Sequence, residues 1–331
     1  MNASTPGGTN DLERRTFLKG VAAGAVGIGL SSALAHEVFA EEEGPPSGTM
    51  KTRIFGRTKV PVSVVAYGSG GLRPDGVRLL QVAVEKGVNF IDTAHSYGKG
   101  QSEEAVGTFL QGYEHRDKLF INTKLSGLNP QGSAKQVYDL FEAKVRESLA
   151  RMKTEYIDSV MWPHGAQNLD FLKHEAARDA LKKLQEKGLV RFLGTSSHTN
   201  YTEVCNAVLD DGFYDVFLTV INICTQNQAQ AGQVQPGRGR RQRGRPIEDT
   251  TALLKKAKAK NIGVMAMKVA NGGYLGSGTD ALLGKAFPDE TPFSRHQRLY
   301  RYALDQEGVH TDVVGIRSAL HLKEAIALGY A

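Results

Sequence analysis

Four side chains in this 331-residue chain could do chemistry together: a carboxylate at Asp92, a phenol at Tyr97, an amine at Lys124 and an imidazole at His164. Each follows a short apolar run, in "NFIDTAHSYG" at 89–98, "FINTK" at 120–124 and "MWPHG" at 161–165. A phenol titrates near pH ~10 and so keeps its proton at neutral pH. A neighbouring ammonium would lower that value and ready the proton for donation, and a carboxylate would hold the ammonium charged and in place. A neutral or charged imidazole could orient a carbonyl oxygen and help stabilise developing oxyanion charge. The set suits reduction of a C=O group by hydride, with Tyr97 as the acid.

Such a site needs elements that bring distant segments to one place. Short β-branched runs occur at 62–66, 88–91, 119–123, 156–161, 190–193, 216–221, 262–267 and 313–316. Each is followed by a stretch with helical spacing, at 77–85, 103–110, 134–152, 171–186, 201–209, 248–260, 294–304 and 319–328. Eight strand–helix pairs predict an α/β fold, a (β/α)8 barrel. The "EKG" sequences at 85–87 and 186–188 each place a glycine where a left-handed helix cap precedes a strand, and Lys260–Asn261 does the same before the seventh. An open doubly wound sheet is the structural rival, but "GSGGL" at 68–72 lacks its glycine-rich spacing. In a parallel barrel the strands' C-terminal ends form the active-site mouth. Pro163 biases Trp162 towards extended backbone, so the fourth strand is expected to persist to His164.

These segments resemble the motifs of the aldo-keto reductase family, over roughly residues 51–328. The resemblance implies a (β/α)8 barrel, a nicotinamide cofactor and a small carbonyl or alcohol substrate. It also implies catalytic roles for Asp92, Tyr97, Lys124 and His164. "VMAMKVANGG" at 264–273 further resembles the subgroup with a lysine after strand seven. By motif match, Ser196 and Ser197 of "GTSSH" would meet the nicotinamide amide, and Lys268 with the glycines after it would meet the pyrophosphate. Arg317 and Ser318 would take a 2′-phosphate, which favours NADP(H) over NAD(H). Two departures weaken the adenosine end: His321 stands where Gln or Arg is usual, and Ala325 where Asn is common. The sixth strand lacks the glutamine that many members place on the nicotinamide amide. The chain stops just after the eighth helix, where many members continue into a loop that closes the pocket, so an open substrate site is expected.

The remaining features concern address and partners. Residues 13–35 read "ERRTFLKGVAAGAVGIGLSSALA", an arginine pair, a short apolar stretch and a small-residue cleavage signal. Residues 1–40 thus resemble a cleavable twin-arginine signal peptide, with 41–50 as a flexible linker and 51–331 as the barrel. The apolar stretch is too short to span a bilayer comfortably, so no stable membrane anchor is expected after cleavage. The expectation is a periplasmic or exported protein that engages the twin-arginine export machinery. A free pool of reduced nicotinamide is not expected outside the cell, so export calls for tight cofactor retention, a redox partner or a noncatalytic role.

The net charge is +6, and five arginines in "RGRRQRGR" at 238–245 account for most of it. That segment lies within an insertion at about 228–247 without interleaved aromatics, so nucleic acid is not an expected partner. The insertion is open to readings as a solvated loop, a lid or an anion clamp. Two cysteines, Cys205 and Cys224, form no CxxC or Cys/His cluster, which argues against a metal site. Their expected state is two separate thiols. A second functional reading is a noncatalytic or sensor-type barrel that binds nicotinamide or anions.

Overall fold

The computed structural model describes residues 49–166, 169–227, 248–270, 275–287 and 292–330. The segment expected to be a twin-arginine leader, the expected linker up to residue 48 and the arginine-rich segment expected as an insertion at 228–247 lie outside the described residues.

The chain enters through a two-stranded antiparallel hairpin, β1 (Thr52–Ile54) and β2 (Pro61–Ser63). Eight parallel strands then close a barrel: β3 (Val65–Gly68), β4 (Phe90–Asp92), β5 (Phe120–Lys124), β6 (Ile157–His164), β7 (Val190–Ser196), β8 (Val216–Val220), β9 (Gly263–Met267) and β10 (Thr311–Gly315), with β10 pairing back onto β3. Helices pack outside this wall: α1 (Val77–Glu85), α2 (Gln101–Leu110), α3 (Ala134–Met152), α4 (Glu175–Glu186), α5 (Tyr201–Asp211), the one-turn α6 (Ile223–Gln226), α7 (Thr251–Ala259), α8 (Thr279–Ala286), α9 (Arg295–Leu304) and α10 (Ala319–Tyr330). The predicted (β/α)8 architecture is the observed one.

Strand alternation sorts the side chains into two cores. Val65, Ile91, Ile121, Val160 and Val314 belong to the layer between barrel and helices. Ala66, Phe90, Phe120, Met161, Leu218 and Met265 fill the barrel interior. The interior is stopped at one end by Phe55, fully buried at the turn between β1 and β2, with its ring 5.6 Å from Phe90 and 5.3 Å from Phe120. The adjoining Gly56 lies against Ile262 and Gly263, where β9 begins. The hairpin therefore caps the N-terminal end of the strands, and the opposite end carries the polar residues.

Several boundaries differ from the pattern-based expectation. The run at 62–66 is split at Val64: Val62 serves the hairpin, and the barrel strand starts at Val65. The sixth helix starts at Thr251 rather than 248, because the Glu248 carboxylate instead accepts from the backbone N–H groups of Tyr201 (3.2 Å) and Thr202 (2.8 Å) at the start of α5. Helix α8 was not expected at all, since it adds a turn-rich segment between the seventh strand and its helix. The caps were legible: Gly87, Gly188 and Asn261 adopt φ of 85°, 73° and 49°. Met50, at the last position of the expected linker, is buried against Gly87 and Gly329, so the folded body reaches into that linker.

Candidate active site

The second barrel strand ends in Asp92 because hydrophobic residues up to Ile91 satisfy the wall, while Asp92 finds a counter-ion on the next strand. Lys124, the last residue of β5, places Nζ 2.6 and 2.7 Å from the two Asp92 carboxylate oxygens and 2.7 Å from the Thr93 carbonyl. Asn122 Nδ2 also donates to Asp92 at 2.7 Å, and Ser159 Oγ donates to Asn122 Oδ1 at 2.6 Å. Asp92 and Lys124 are both essentially inaccessible to solvent. A buried charge pair persists only when its remaining hydrogen-bonding capacity is met, as it is here.

Tyr97 opens a short turn, Tyr97–Gly100, directly after β4. Its ring lies 5.0 Å from Lys124 Nζ. Gly70, from the loop after β3, leaves the ring uncovered on one side: a side-chain carbon there would stand 3.8 Å from Tyr97 Cε2. The Lys124 charge draws the phenol pKa down, but burial and the Asp92 carboxylate outweigh it, so Tyr97 stands above the ordinary phenol value. This corrects the expectation of a lowered pKa. Burial alone would lower Lys124, yet Asp92 and Tyr97 together raise it, so the ammonium stays protonated.

His164 ends β6, as Pro163 foreshadowed, with the strand register shifting between Met161 and His164. Burial, then the charges of Lys124 and His198, push its pKa down to about 3. The imidazole is therefore neutral at physiological pH. Its Nδ1 lies 2.6 Å from Ser126 Oγ, and Ser126 Oγ lies 3.0 Å from Ser96 Oγ. Ser126 Oγ donates to Ser96 Oγ, so in this arrangement it accepts from Nδ1–H; the tautomer with its proton on Nε2, free to be given to an oxygen, requires Ser126 to turn its one proton from Ser96 to Nδ1. Neither serine stood out in the sequence, because single hydroxyls in polar loops carry no pattern.

A second network braces the site from outside the barrel. Glu103 on α2 is fully buried; it accepts from Thr123 Oγ1 at 2.7 Å and from Arg151 of α3 at 2.8 Å. The same Arg151 nitrogen lies 2.8 Å from His95 Nδ1, and His95 donates its backbone N–H to the Lys124 carbonyl at 3.1 Å. The chain of contacts Thr123–Glu103–Arg151–His95–Lys124 thus closes on Lys124 and the residue before it. Gly100, at φ 97°, lies against the Arg151 guanidinium and admits no side chain. This network was not legible in advance: its bonded members lie up to 56 residues apart, on two helices, a strand and a loop, and the sequence does not set how these meet.

The other expected site residues occupy neighbouring strand ends. Ser196 is buried at the end of β7; its Oγ accepts from Gly165 N at 3.0 Å and keeps its own proton to donate. The Ser197 hydroxyl is turned inward, 2.7 Å from the Ala166 carbonyl and 2.6 Å from that of Thr199. Lys268 follows β9 in the left-handed region, φ 60°, with its carbonyl accepting from Asn222 at 3.3 Å. Arg317 is exposed after β10, with its side chain laid over Gly71, where an added carbon would come within 3.1 Å. Ser318 Oγ accepts from His321 N at 3.2 Å, and the buried His321 Nδ1 has no hydrogen-bond partner among the described residues. An exposed guanidinium, a hydroxyl and an unsatisfied ring nitrogen fit a phosphate-bearing ligand. Ala325 is fully buried in the outer core. Both cysteines are free thiols and buried.

The model of the Aldo/keto reductase family matches residues 72–329, which takes in seven of the eight barrel strands, β4 to β10, and all four residues of the mouth. The chain belongs to this family. Among relatives, the aldo-keto reductase YhdN of Bacillus subtilis is 33% identical over 125 residues, covering 37% of this chain and 36% of that protein. The 6-dehydroglucose reductase of Novosphingobium aromaticivorans is 30% identical over 160 residues, covering 44% of this chain and 51% of its own. The chain thus aligns with about half, or less, of the length of these curated relatives. The holo form of the aldo-keto reductase AKR11C1 from Bacillus halodurans shares the fold, with a TM-score of 0.64 at 22% identity over 85% of this chain and 91% of that one.

Proposed function

We propose that this aldo-keto reductase is an exported, NADP(H)-dependent enzyme that interconverts a carbonyl and an alcohol, with Tyr97 as general acid. The observation that carries the reading is the buried Asp92–Lys124 pair at 2.6 Å set beside the Tyr97 ring. When bound, a reduced nicotinamide supplies the hydride. Ser196 would orient the nicotinamide amide, Lys268 would face the pyrophosphate, and Arg317 with Ser318 would hold a 2′-phosphate. The family membership and the relative solved in a holo form support a nicotinamide cofactor. The exposed, phosphate-ready Arg317 supports the choice of NADP(H).

In the reduction direction the carbonyl oxygen rests between the Tyr97 hydroxyl and the neutral His164 ring. Tyr97 gives its proton to that oxygen as the carbon is reduced. The phenolate left behind is stabilised by Lys124, which Asp92, Asn122 and the Thr93 carbonyl hold in place. His164 orients the oxygen without competing to protonate it, because its own charged form is disfavoured. General acid catalysis contributes about 10²–10⁴-fold, so Tyr97→Phe should lower kcat by about that factor with NADPH binding retained. Binding is followed by nicotinamide fluorescence; an unchanged turnover number rejects the acid role. Export is supported by the leader-like residues 1–40, and mass spectrometry of the envelope protein would show a processed N-terminus and whether a dinucleotide accompanies the mature chain.

A further inference from the structure

Beside the acid stands a cation that the chemistry above does not use. Arg73 lies in the loop between β3 and α1, three residues after Gly70, which faces the Tyr97 ring. Its guanidinium is seated on Gly98, the residue directly after Tyr97. A side chain at Gly98 would begin 2.8 Å from Arg73 Cζ and Nη1 and 3.1 Å from Nη2, and the backbone there is left-handed at φ 57°. Arg73 thus fills the space that the neighbour of the acid would otherwise occupy.

The arginine is half-buried and, among the described residues, tied by one hydrogen bond, Nη1 to the Leu72 carbonyl at 2.8 Å. Eight other described arginines meet carboxylates, Arg178 on Asp211 at 2.6 Å among them. Arg73 has no carboxylate partner among the described residues. A guanidinium offers five donors in a planar fork that matches a carboxylate. With one donor spent on Leu72, the rest of the fork is available beside the reacting centre. Arg317 lies against Gly71 of the same loop, whereas Arg73 lies against Gly98 in the turn that follows Tyr97. Lys99, the next residue after Gly98, is exposed and adds a second positive charge to the same turn.

We propose that the substrate carries a carboxylate as well as its carbonyl group, and that Arg73 holds this carboxylate while Tyr97 addresses the carbonyl. The inference rests on the reductase reading and narrows it to oxo acids. A bidentate contact at this point fixes the carbonyl's distance from Tyr97 as well as adding affinity.

The test pairs each acid with its neutral isostere: 4-carboxybenzaldehyde against 4-carbamoylbenzaldehyde, and succinic semialdehyde against its amide, with NADPH as reductant. The expected result is a kcat/KM preference for the acids of roughly tenfold or more, as charge-assisted bidentate bonds allow. Arg73→Gln should abolish that preference and Arg73→Lys should keep part of it. In parallel, calorimetry with the wild-type protein should show benzoate binding more tightly than benzamide, and Arg73→Gln should remove the difference. Reduction of all four aldehydes without preference, or a preference that survives Arg73→Gln, overturns the assignment. A comparable loss of NADP+ affinity in Arg73→Gln would move Arg73 to the cofactor and also overturn it. If no aldehyde is reduced, the reductase reading fails, and the benzoate measurement still decides whether Arg73 is an anion site.

Discussion

At the scale of single residues, the mouth of the barrel is a set of protonation states held apart by environment. Lys124 stays charged because Asp92 shares its burial, His164 stays neutral because burial and neighbouring cations oppose a further positive charge, and Tyr97 keeps its proton. The state of the imidazole depends on one further hydroxyl. Ser126→Ala removes the partner of His164 Nδ1, so the tautomer and the orientation of the ring are no longer set by that hydroxyl. The expected effect is a fall in kcat of about tenfold, equivalent to ~1.4 kcal/mol at the transition state, with cofactor affinity retained. Steady-state kinetics with stopped-flow NADPH binding measures both; an unaltered kcat shows that Ser126 does not set the tautomer. The residue types at the mouth could be read from three short motifs. The tautomer partner could not, because it depends on which loop folds over the ring.

At the scale of elements, the site is a product of strand ends braced by two helices. Arg151 reaches from the last turn of α3 to Glu103, Glu147 and His95, with contacts of 2.8, 3.3 and 2.8 Å, and through them to Lys124 and the residue before it. A lysine in its place keeps the charge but cannot serve three partners from one planar fork. Arg151→Lys is therefore expected to lower kcat by about tenfold, on the scale of a modest misplacement of catalytic groups, and to shift the ionisation seen in the kcat–pH profile, with KM changed less. A loss of thermal stability with the profile unmoved would mark the network as scaffolding alone. Strand identity was legible at this scale, because β-branched runs of fixed spacing must be buried on both faces in a parallel barrel. Helix starts were less so. Glu248 shows why: nothing local reveals that its carboxylate is claimed by α5.

At the scale of the whole molecule, the barrel carries one unfavourable group far from the chemistry. Asp312 on β10 is fully buried, and neither carboxylate oxygen has a hydrogen-bond partner among the described residues. Burial drives its pKa well above the ordinary carboxylate value, against the pull of Arg53. A group whose folded pKa is raised contributes stability below its unfolded pKa and loses it as pH rises through the folded value. Asp312→Asn should therefore stabilise the protein at neutral pH, by about 1–3 kcal/mol, with the gain shrinking as the pH is lowered towards 4. Urea unfolding at pH 7.5 and 4.5 checks this; destabilisation at pH 7.5 would show that the carboxylate is needed in its charged form.

The floor of the barrel bears on traffic. Phe55 and the aromatic rings packed on it seal the strands' N-terminal end. On the proposed reading, a nicotinamide ring and the compound it reduces would both come in from the strands' C-terminal end, and whichever settles deeper would wait for the other to move aside. Turnover at such a site would have a queue built into it, with the order of arrival and departure imposed by the walls.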